Sequence, residues 1–261
     1  MREPEPWPVA LFRRSALKQR KLAEIDRRLG VTEGRRCLDL GSDNGVISLM
    51  LRRRGGRWAS ADLTSEAVGS IRELVKDDVH LLEAERLPFP DREFDVVAVV
   101  DMIEHVSDER GFVAELARVT RPGGRLVVNT PHRRETALRR LRHRVGLTDE
   151  KHGHVRAGYS PSELRALVEG SGHFSWDGHH TYSRFFSEVV DIGLNWAVER
   201  LGKPGSPKGM VVTGADLARH RNAFLAYSLV YPAVWAVTRL DAAIPWAPGY
   251  MLIASAIRTS S

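Results

Sequence analysis

The stretch CLDLGSDNG, residues 37–45, passes from a short apolar segment into a turn with glycines at Gly41 and Gly45. Glycine lets a backbone turn sharply and approach a ligand, and the helix that follows such a turn offers unpaired N–H donors at its N-terminus. Asp62 ends the next apolar segment, 21 positions after Gly41. A carboxylate at this spacing is typical of sites that bind both hydroxyls of an adenosine ribose. The turn alone fits an ordinary strand-turn-helix with a surface acid equally well.

Apolar segments alternate with helical patterns on both sides of this turn. The almost wholly apolar run Phe94–Val100 is typical of a strand in a sheet that is covered on both faces. Alternating strands and helices predict a parallel, doubly wound α/β sheet. We predict strands at Arg36–Leu40, Trp58–Ala61, Val79–Leu82, Phe94–Val100 and Arg125–Asn129, and helices at Val46–Leu51, at Ser65–Val75 and after a cap at Ser107.

The second half of the chain is less regular. Residues 130–158 show no clear period, whereas Ser160-Pro161-Ser162-Glu163 is a capping box that predicts a helix ending at Gly170. Strands are predicted at Phe174–Tyr182 and Gly249–Ile257, with two or three helical stretches between them. We therefore divide the chain into a basic helical segment over 1–34, a ligand-binding α/β domain over 35–182 and 249–261, and a helical cap over 183–248.

Composition limits the class of protein. The 261 residues carry a formal charge of +6, with 43% hydrophobic and 28% charged residues, as in ordinary globular proteins. The single cysteine, Cys37, excludes an intramolecular disulfide framework and a cysteine-rich zinc site. The N-terminus carries acids and prolines instead of a secretory signal, and the uncharged stretch Phe224–Thr238 is too short to span a membrane. We predict a cytoplasmic location, with peripheral membrane contact left open.

Five motifs in order extend the turn into a family pattern. They are residues 37–45, Asp62, the segment 82–91, the strand opened by Phe94-Asp95-Val96-Val97 with Ile103-Glu104-His105-Val106 behind it, and the turn Arg121-Pro122-Gly123-Gly124. Together they make the segment 37–132 resemble the class I S-adenosylmethionine-dependent methyltransferases of the type 11 kind. The resemblance implies a Rossmann-like doubly wound sheet, mostly parallel with a final antiparallel strand, and a helical cap inserted before that strand. It implies S-adenosyl-L-methionine as cofactor.

The resemblance also implies a cofactor site. The turn would line the methionine part, Asp62 would hold the ribose, and Glu83 would face the adenine amino group. The full implied set is Asp39, Gly41, Ser42, Asp43, Gly45, Asp62, Leu63, Glu83, Ala84, Asp101 and Met102. Asp43 departs from the family pattern, since many relatives have glycine there, and we expect this departure to act on cofactor affinity.

A possible metal site follows the fourth predicted strand. Residues 101–105, Asp-Met-Ile-Glu-His, are similar to the Glu-x-x-Glu-His ligand set of quinone-biosynthesis O-methyltransferases and small-RNA 2′-O-methyltransferases. The similarity implies a Mg²⁺ or Mn²⁺ site with the ligands Asp101, Glu104, His105 and His154. His105 and His154 are also the candidate catalytic residues. The alternative is a metal-free loop that Glu104 and His105 support, with His152 and His154 shaping a lid.

Basic and aromatic residues cluster outside these motifs. Seven basic residues lie within 13–28 and eight within 132–144, which fits either solvated helix faces or a site for an anionic group such as a lipid headgroup. No aromatic residue is interleaved with the second cluster, so we do not expect nucleic acid as a partner. Twelve of the nineteen aromatic residues lie within 174–250. There, Phe224–Trp235 predicts a buried helix, a wall for an apolar substrate, or a surface that dips into a bilayer.

These observations predict a methyltransferase that acts on a small, apolar or lipid-like acceptor. O-methylation is favoured over C-methylation because of the nearby histidines. A nicotinamide-dependent oxidoreductase is a second class, but Asp43 and Val46 occupy the second and third positions of its Gly-x-Gly-x-x-Gly fingerprint. A third class is a methyltransferase-like module that has lost catalysis and binds a membrane or a partner.

Overall fold

The computed structural model describes residues 6–83, 86–149, 153–201 and 214–260. Its helices are α1 (Trp7–Phe12), α2 (Ala16–Leu29), α3 (Val46–Arg52), α4 (Ser65–Val75), α5 (Glu109–Val119), α6 (Ala137–Arg144), α7 (Pro161–Gly170), α8 (Phe185–Leu201) and α9 (Gly214–Arg239). Its strands are β1 (Arg36–Leu40), β2 (Arg57–Asp62), β3 (Val79–Leu81), β4 (Phe94–Val100), β5 (Thr120–Pro131), β6 (Phe174–Tyr182) and β7 (Met251–Arg258).

The described strands form a seven-stranded sheet in the order β3-β2-β1-β4-β5-β7-β6. β1 pairs in parallel with β2 and β4, and the parallel pairing continues outward to β3 and β5. β7 is antiparallel to both β5 and β6. The predicted doubly wound, mostly parallel sheet with a final antiparallel strand is confirmed.

Helices cover both faces of this sheet, which explains the continuous apolar character of β4. Val97 and Val99 face a core built with α5 and α7, whereas Val96 and Val100 face a second core built with α1, α2 and α3. Because successive side chains of a strand point to opposite faces, a strand buried on both sides needs apolar residues at every position.

Several local predictions differ from the structure. The predicted turn at residues 121–124 lies inside β5. The segment predicted as basic and helical forms two helices, with Ser15 capping α2 through the N–H of Lys18. Asp108, and not Ser107, caps α5, because its carboxylate accepts the N–H of Gly111. Helix α6 lies in the stretch that showed no period. It buries none of its residues completely, so no apolar stripe marks it in the sequence.

The cap consists of α8, α9 and a short 3-10 turn at Leu240–Ala243 in the described residues. One side of α9 packs on the N-terminal helices, where Phe224 meets Trp7 and Tyr231 accepts a hydrogen bond from Gln19. Leu229 on the other side is 84% exposed. The prediction of a fully buried helix over Phe224–Trp235 is therefore wrong. No helix in the described part of the chain has the length and apolarity needed to cross a membrane.

The buried carboxylate of Asp39 ties the glycine turn to the sheet. It accepts the hydroxyl hydrogens of Ser42 and Ser48 at 2.6 Å and of Ser60 at 2.7 Å. The guanidinium of Arg52 lies 3.6 Å from the same carboxylate. These contacts join β1, the turn, α3 and β2 around one charge, and a buried charge needs such partners to be tolerated.

Replacing Asp39 by Ala removes the acceptor of three serine hydroxyls and the nearby negative charge that pairs with Arg52. We expect Asp39→Ala to lower the free energy of unfolding by about 3–5 kcal/mol. Urea denaturation followed by circular dichroism measures this change. Asp39→Asn, which keeps one acceptor oxygen, serves as the matched control and should cost less. A loss below about 1 kcal/mol for Asp39→Ala would show that the carboxylate is not needed for stability.

Candidate active site

The candidate site lies at the carboxyl ends of β1, β2 and β4. Strand β2, which follows β1 in the chain, pairs with one edge of β1, whereas β4 pairs with the other edge. The strand order therefore reverses between β1 and β4. In open α/β sheets, ligands bind in the crevice at such a reversal.

The glycine turn packs directly against neighbouring backbone. Gly41 has a φ of +83°, and a Cβ atom there would lie 2.3 Å from the carbonyl oxygen of Val100. Gly45 has a φ of +75°, and its Cβ would lie 2.7 Å from the Cα of Ile71. Asp43 has a φ of +50°, a left-handed conformation that aspartate adopts more readily than most residues. The turn therefore keeps its shape although the sequence has Asp43 in place of a glycine.

Asp62 connects the end of β2 to this turn. Its carboxylate accepts the N–H of Leu63 at 2.8 Å and the N–H of Asp43 at 3.3 Å. Burial raises the pKa of Asp62 to about 6, although the two backbone hydrogen bonds oppose this rise. A carboxylate beside the turn, charged at neutral pH, can accept hydrogen bonds from a sugar diol.

Asp101 directly follows β4 and belongs to a chain of polar groups. Tyr182 donates to the amide oxygen of Asn129 at 2.6 Å, and Asn129 donates to the Asp101 carboxylate at 2.7 Å. Lys21 of α2 forms an ion pair with the same carboxylate. Burial lowers the pKa of Lys21, but the charge and hydrogen bond of Asp101, together with the charges of Glu104 and Asp191, raise it above its ordinary value. Helix α2 thus places a charged amine at the site.

The other predicted cofactor residues take different positions. Ser42 lies beneath the turn with Asp39, and both are buried, so their side chains support the turn from the protein side. Met102 is buried in the core, and Leu63 is partly buried against the same core. Glu83 is exposed beyond β3. Ala84, together with His152, lies outside the described residues.

Glu104, His105 and His154 come together as predicted. Their potential ligand atoms all lie within 4.8 Å of one another. Glu104 is fully buried: one carboxylate oxygen accepts the hydroxyl of Thr130 at 3.0 Å, and the other has no hydrogen-bond partner among the described residues. Burial, followed by the charge of Asp101, raises the pKa of Glu104 to about 8. Asp101 lies outside this group, because Lys21 and Asn129 take its carboxylate.

The two histidines have defined surroundings. Nδ1 of His105 lies 3.0 Å from the carbonyl oxygen of Gly153. Since a carbonyl only accepts, Nδ1 carries the proton and Nε2 offers its lone pair. The ring of His154 stands perpendicular to that of His105, with centroids 4.8 Å apart. Its Nδ1 lies 3.9 Å from the carboxylate of Asp149.

Arg156 holds the two halves of this group together. Its guanidinium donates to the carbonyl oxygens of Ile103 at 2.9 Å and Val106 at 2.6 Å. The N–H of Val155 also donates to the carbonyl oxygen of Glu104 at 3.0 Å. The segment that carries His154 is therefore fastened across the 3-10 turn Ile103–His105 that carries the other two residues.

A cavity of about 380 Å³ opens beside these residues. Its apolar wall includes Leu17, Leu194 and Met251, and its polar wall includes Lys21, Asp101, Glu104 and His154. Three arginines of the second basic cluster also line it, and each forms an ion pair: Arg134 with Glu188, Arg139 with Asp149 and Arg142 with Asp191. An anionic group bound there would compete with these carboxylates.

Sequence reasoning missed Lys21, Thr130 and Arg156. Lys21 carried one usable signal, since it is one of only six lysines beside 33 arginines. Thr130 and Arg156 carried none, because their roles depend on contacts with residues 26 and about 50 positions away.

Comparisons with known proteins give the family. The model of the methyltransferase domain family matches residues 38–128. A ubiquinone biosynthesis O-methyltransferase of Aeromonas salmonicida is 32% identical over 197 residues, covering 69% of this chain and 81% of that protein. The chain belongs to the class I S-adenosylmethionine-dependent methyltransferases. A demethylmenaquinone methyltransferase of Tropheryma whipplei is 36% identical over 103 residues, covering 38% of this chain and 43% of that protein. The chain thus spans less than half the length of this second relative.

Solved structures share the fold at low sequence identity. The YcgJ protein of Bacillus subtilis superposes with a TM-score of 0.59 at 18% identity, covering 93% of this chain and all of that one. The [4+2]-cyclase SpnF superposes with a TM-score of 0.60 at 19% identity, covering 94% of this chain and 82% of that one. These likenesses show the class I methyltransferase fold.

The charged side chains of the site suit the cofactor of this family, S-adenosylmethionine. Asp62 supplies the carboxylate for a ribose diol. The zwitterionic amino-acid end of S-adenosylmethionine needs both signs of charge, and the site has acids at Asp43 and Asp101 and an amine at Lys21. The left-handed turn between them leaves its backbone, rather than bulky side chains, nearest to the crevice.

Cofactor affinity should depend on the charge of Asp62. Because the pKa of Asp62 is raised to about 6, lowering the pH through 6 protonates the carboxyl group and removes an acceptor for the ribose. We expect S-adenosylhomocysteine to bind several-fold more weakly at pH 5 than at pH 7.5, as measured by calorimetry. Asp62→Asn should bind weakly at both pH values. An equal pH dependence in the variant would assign the effect to another group.

Proposed function

We propose that the protein transfers a methyl group from S-adenosyl-L-methionine to the oxygen of a small, apolar or lipid-like acceptor. The observation that carries this proposal is a cavity that Asp101, Glu104 and His154 border. The glycine turn, which Asp62 contacts, packs against Val100 and Met102 on either side of Asp101. The relatives named for demethylmenaquinone and ubiquinone biosynthesis support an acceptor of quinone-like chemistry.

When bound, the cofactor supplies a methyl group already activated on a sulfonium sulfur. The chain mainly has to position the acceptor in line with that group and to exclude water. A hydroxyl acceptor must lose its proton as it takes the methyl group, so a proton acceptor has to stand beside it. His154, which lines the cavity, would take this role, because Glu104 with its pKa raised to about 8 holds its proton at neutral pH.

The apolar part of the cavity favours the lipid-like acceptor. Leu17, Leu194 and Met251 offer surface for an aliphatic or aromatic body, while the polar groups lie toward Asp101 and Glu104. An amphipathic molecule with one hydroxyl matches this division. O-methylation is preferred over C-methylation because two imidazoles and a carboxylate meet at the polar end.

We also propose that Glu104, His105 and His154 hold a divalent metal ion. The buried carboxylate oxygen of Glu104 that has no hydrogen-bond partner among the described residues supports this, together with the lone pair left on Nε2 of His105. One carboxylate and two imidazoles suit Mn²⁺ or Zn²⁺, and the carboxylate also suits Mg²⁺. Such an ion would polarise the acceptor oxygen and ease loss of its proton.

A module without methyl transfer is the second candidate function. SpnF shares the fold and is described as a [4+2]-cyclase, so this fold is compatible with other activities. Asp43 in the glycine turn is the feature of this chain that favours it. A nicotinamide-dependent oxidoreductase has the least support, since the Gly-x-Gly-x-x-Gly pattern is missing.

Binding and transfer separate these functions. We expect micromolar binding of S-adenosylmethionine and no binding of NADH. After incubation of protein and cofactor with a cell extract, mass spectrometry should show a lipid-soluble metabolite that gains the mass of one methylene group. Asp62→Asn protein is the control. Cofactor binding without any methylated product would support the second function, and binding of neither nucleotide would exclude both enzymes.

Metal binding has a separate test. Calorimetric titration of Mg²⁺, Mn²⁺ and Zn²⁺ into chelator-treated protein should show binding that His154→Ala abolishes. Arg156→Met should weaken it about 10–100-fold, because the change unfastens the His154 segment without removing a ligand. Arg165→Met, which removes an exposed arginine paired with Glu169 on α7, should have no effect. Heat no greater than dilution for the unaltered protein would contradict the metal and leave the histidines as metal-free groups.

A further inference from the structure

The outer side of the cap carries large apolar side chains that face solvent. On α8, Phe185, Val189 and Trp196 are exposed. Their spacing of four and seven residues places them on one side of the helix. Ile192, which the same helical period places beside Phe185 and Trp196, is buried, so the exposed stripe ends there. An exposed apolar stripe of this kind is unusual on a soluble surface and marks an interaction site.

Helix α9 and the loop that follows it expose further apolar side chains. Leu225, Leu229 and Trp235 of α9 are exposed, and Trp246 is 79% exposed. We call the exposed side chains of α8 together with these four the outer apolar face. Phe224 and Tyr231 of α9 pack on the N-terminal helices. The helical period places Leu225 and Leu229 away from this contact and Trp235, one turn after Tyr231, at its edge. The outer apolar face is thus the part of the cap left for a partner.

Charge selects the kind of partner. The guanidinium of Arg200 lies over the ring of Trp196 at 5.3 Å, and that of Arg239 lies over the ring of Trp235 at 4.7 Å. Both arginines are exposed. The acids whose side chains the structure describes in the cap turn inward: Glu188 and Asp191 pair with arginines of the cavity, and Asp241 accepts backbone N–H groups. The described rim of the face is therefore positive.

We propose that the outer apolar face docks on the surface of a lipid bilayer that contains anionic headgroups. Tryptophans with adjacent arginines are suited to the boundary between headgroups and acyl chains, where the ring is buried and the guanidinium meets phosphate. A second copy of the chain fits less well, because a self-contact would bring the arginine rims of two copies together. The face would rest on the bilayer surface, not cross it.

Helix α8 connects this face to the cavity. Leu194 and Asn195 line the cavity, while Phe185, Val189 and Trp196 face outward. A bilayer docked on α8 would lie one helix thickness from the cavity. The idea that a methyl acceptor passes from the bilayer to the cavity along α8 rests on the proposed function. The docking itself does not.

Co-sedimentation with vesicles tests the docking. The full chain should bind vesicles of phosphatidylcholine with phosphatidylglycerol and bind pure phosphatidylcholine vesicles more weakly. The double variant Leu229→Gln, Trp246→Gln should reduce partitioning at least tenfold, since both side chains are nearly fully exposed and add little to folding. Arg200→Gln and Arg239→Gln should each cost about fivefold on anionic vesicles only.

Controls separate docking from folding, self-association and catalysis. Val31→Gln changes an exposed apolar residue outside the cap and should leave vesicle binding unchanged. Unaltered S-adenosylmethionine binding by the double variant would show that the cofactor site is intact, so a docking failure cannot be confused with failure of the proposed function. Absence of vesicle binding, or a concentration-dependent dimer in sedimentation velocity that the double variant abolishes, would overturn the proposal.

Discussion

The buried carboxylate of Asp39 is the contact on which the rest of the site depends. Three serine hydroxyls and Arg52 surround it, and they come from the turn, α3 and β2. A charge removed from water must be paired, so these segments can pack in only one arrangement around it. That arrangement seats Gly41 against Val100 and Gly45 against Ile71. It also brings the N–H of Asp43 to the carboxylate of Asp62, so one buried charge positions the crevice for the cofactor.

A second buried acid organises the other half of the site. Glu104 follows β4, is held by Thr130 of β5 and is met by two imidazoles. His154 is held beside it because Arg156 fastens its segment to the carbonyl oxygens of Ile103 and Val106, and the N–H of Val155 donates to the carbonyl oxygen of Glu104. The two halves meet at Asp101, whose carboxylate forms an ion pair with Lys21 and accepts a hydrogen bond from Asn129. Cofactor crevice, polar cluster and cavity are thus connected through side chains of four strands and one N-terminal helix.

The positive charge of the chain has a different distribution in space than along the sequence. Arg134, Arg139 and Arg142 look like an anion site in the sequence, but each has a carboxylate partner in the cavity wall. Arg20 and Arg27 likewise share Glu24 on α2. Carboxylates from other segments therefore decide which arginines are already paired. Arg200 and Arg239, on the outer side of the cap, lie over aromatic rings.

The sequence by itself determined the sheet and the position of the crevice. Arg36–Leu40, Phe94–Val100 and Phe174–Tyr182 were predicted with the bounds that the structure has, because burial on both faces, glycine turns and a capping box are local signals. It also indicated that Glu104, His105 and His154 meet, through resemblance to a family ligand set. Only the tertiary structure placed Asp101 with Lys21, exposed one side of α9 and revealed the roles of Thr130 and Arg156. These features come from contacts between segments far apart in the chain, and no local period or spacing encodes them.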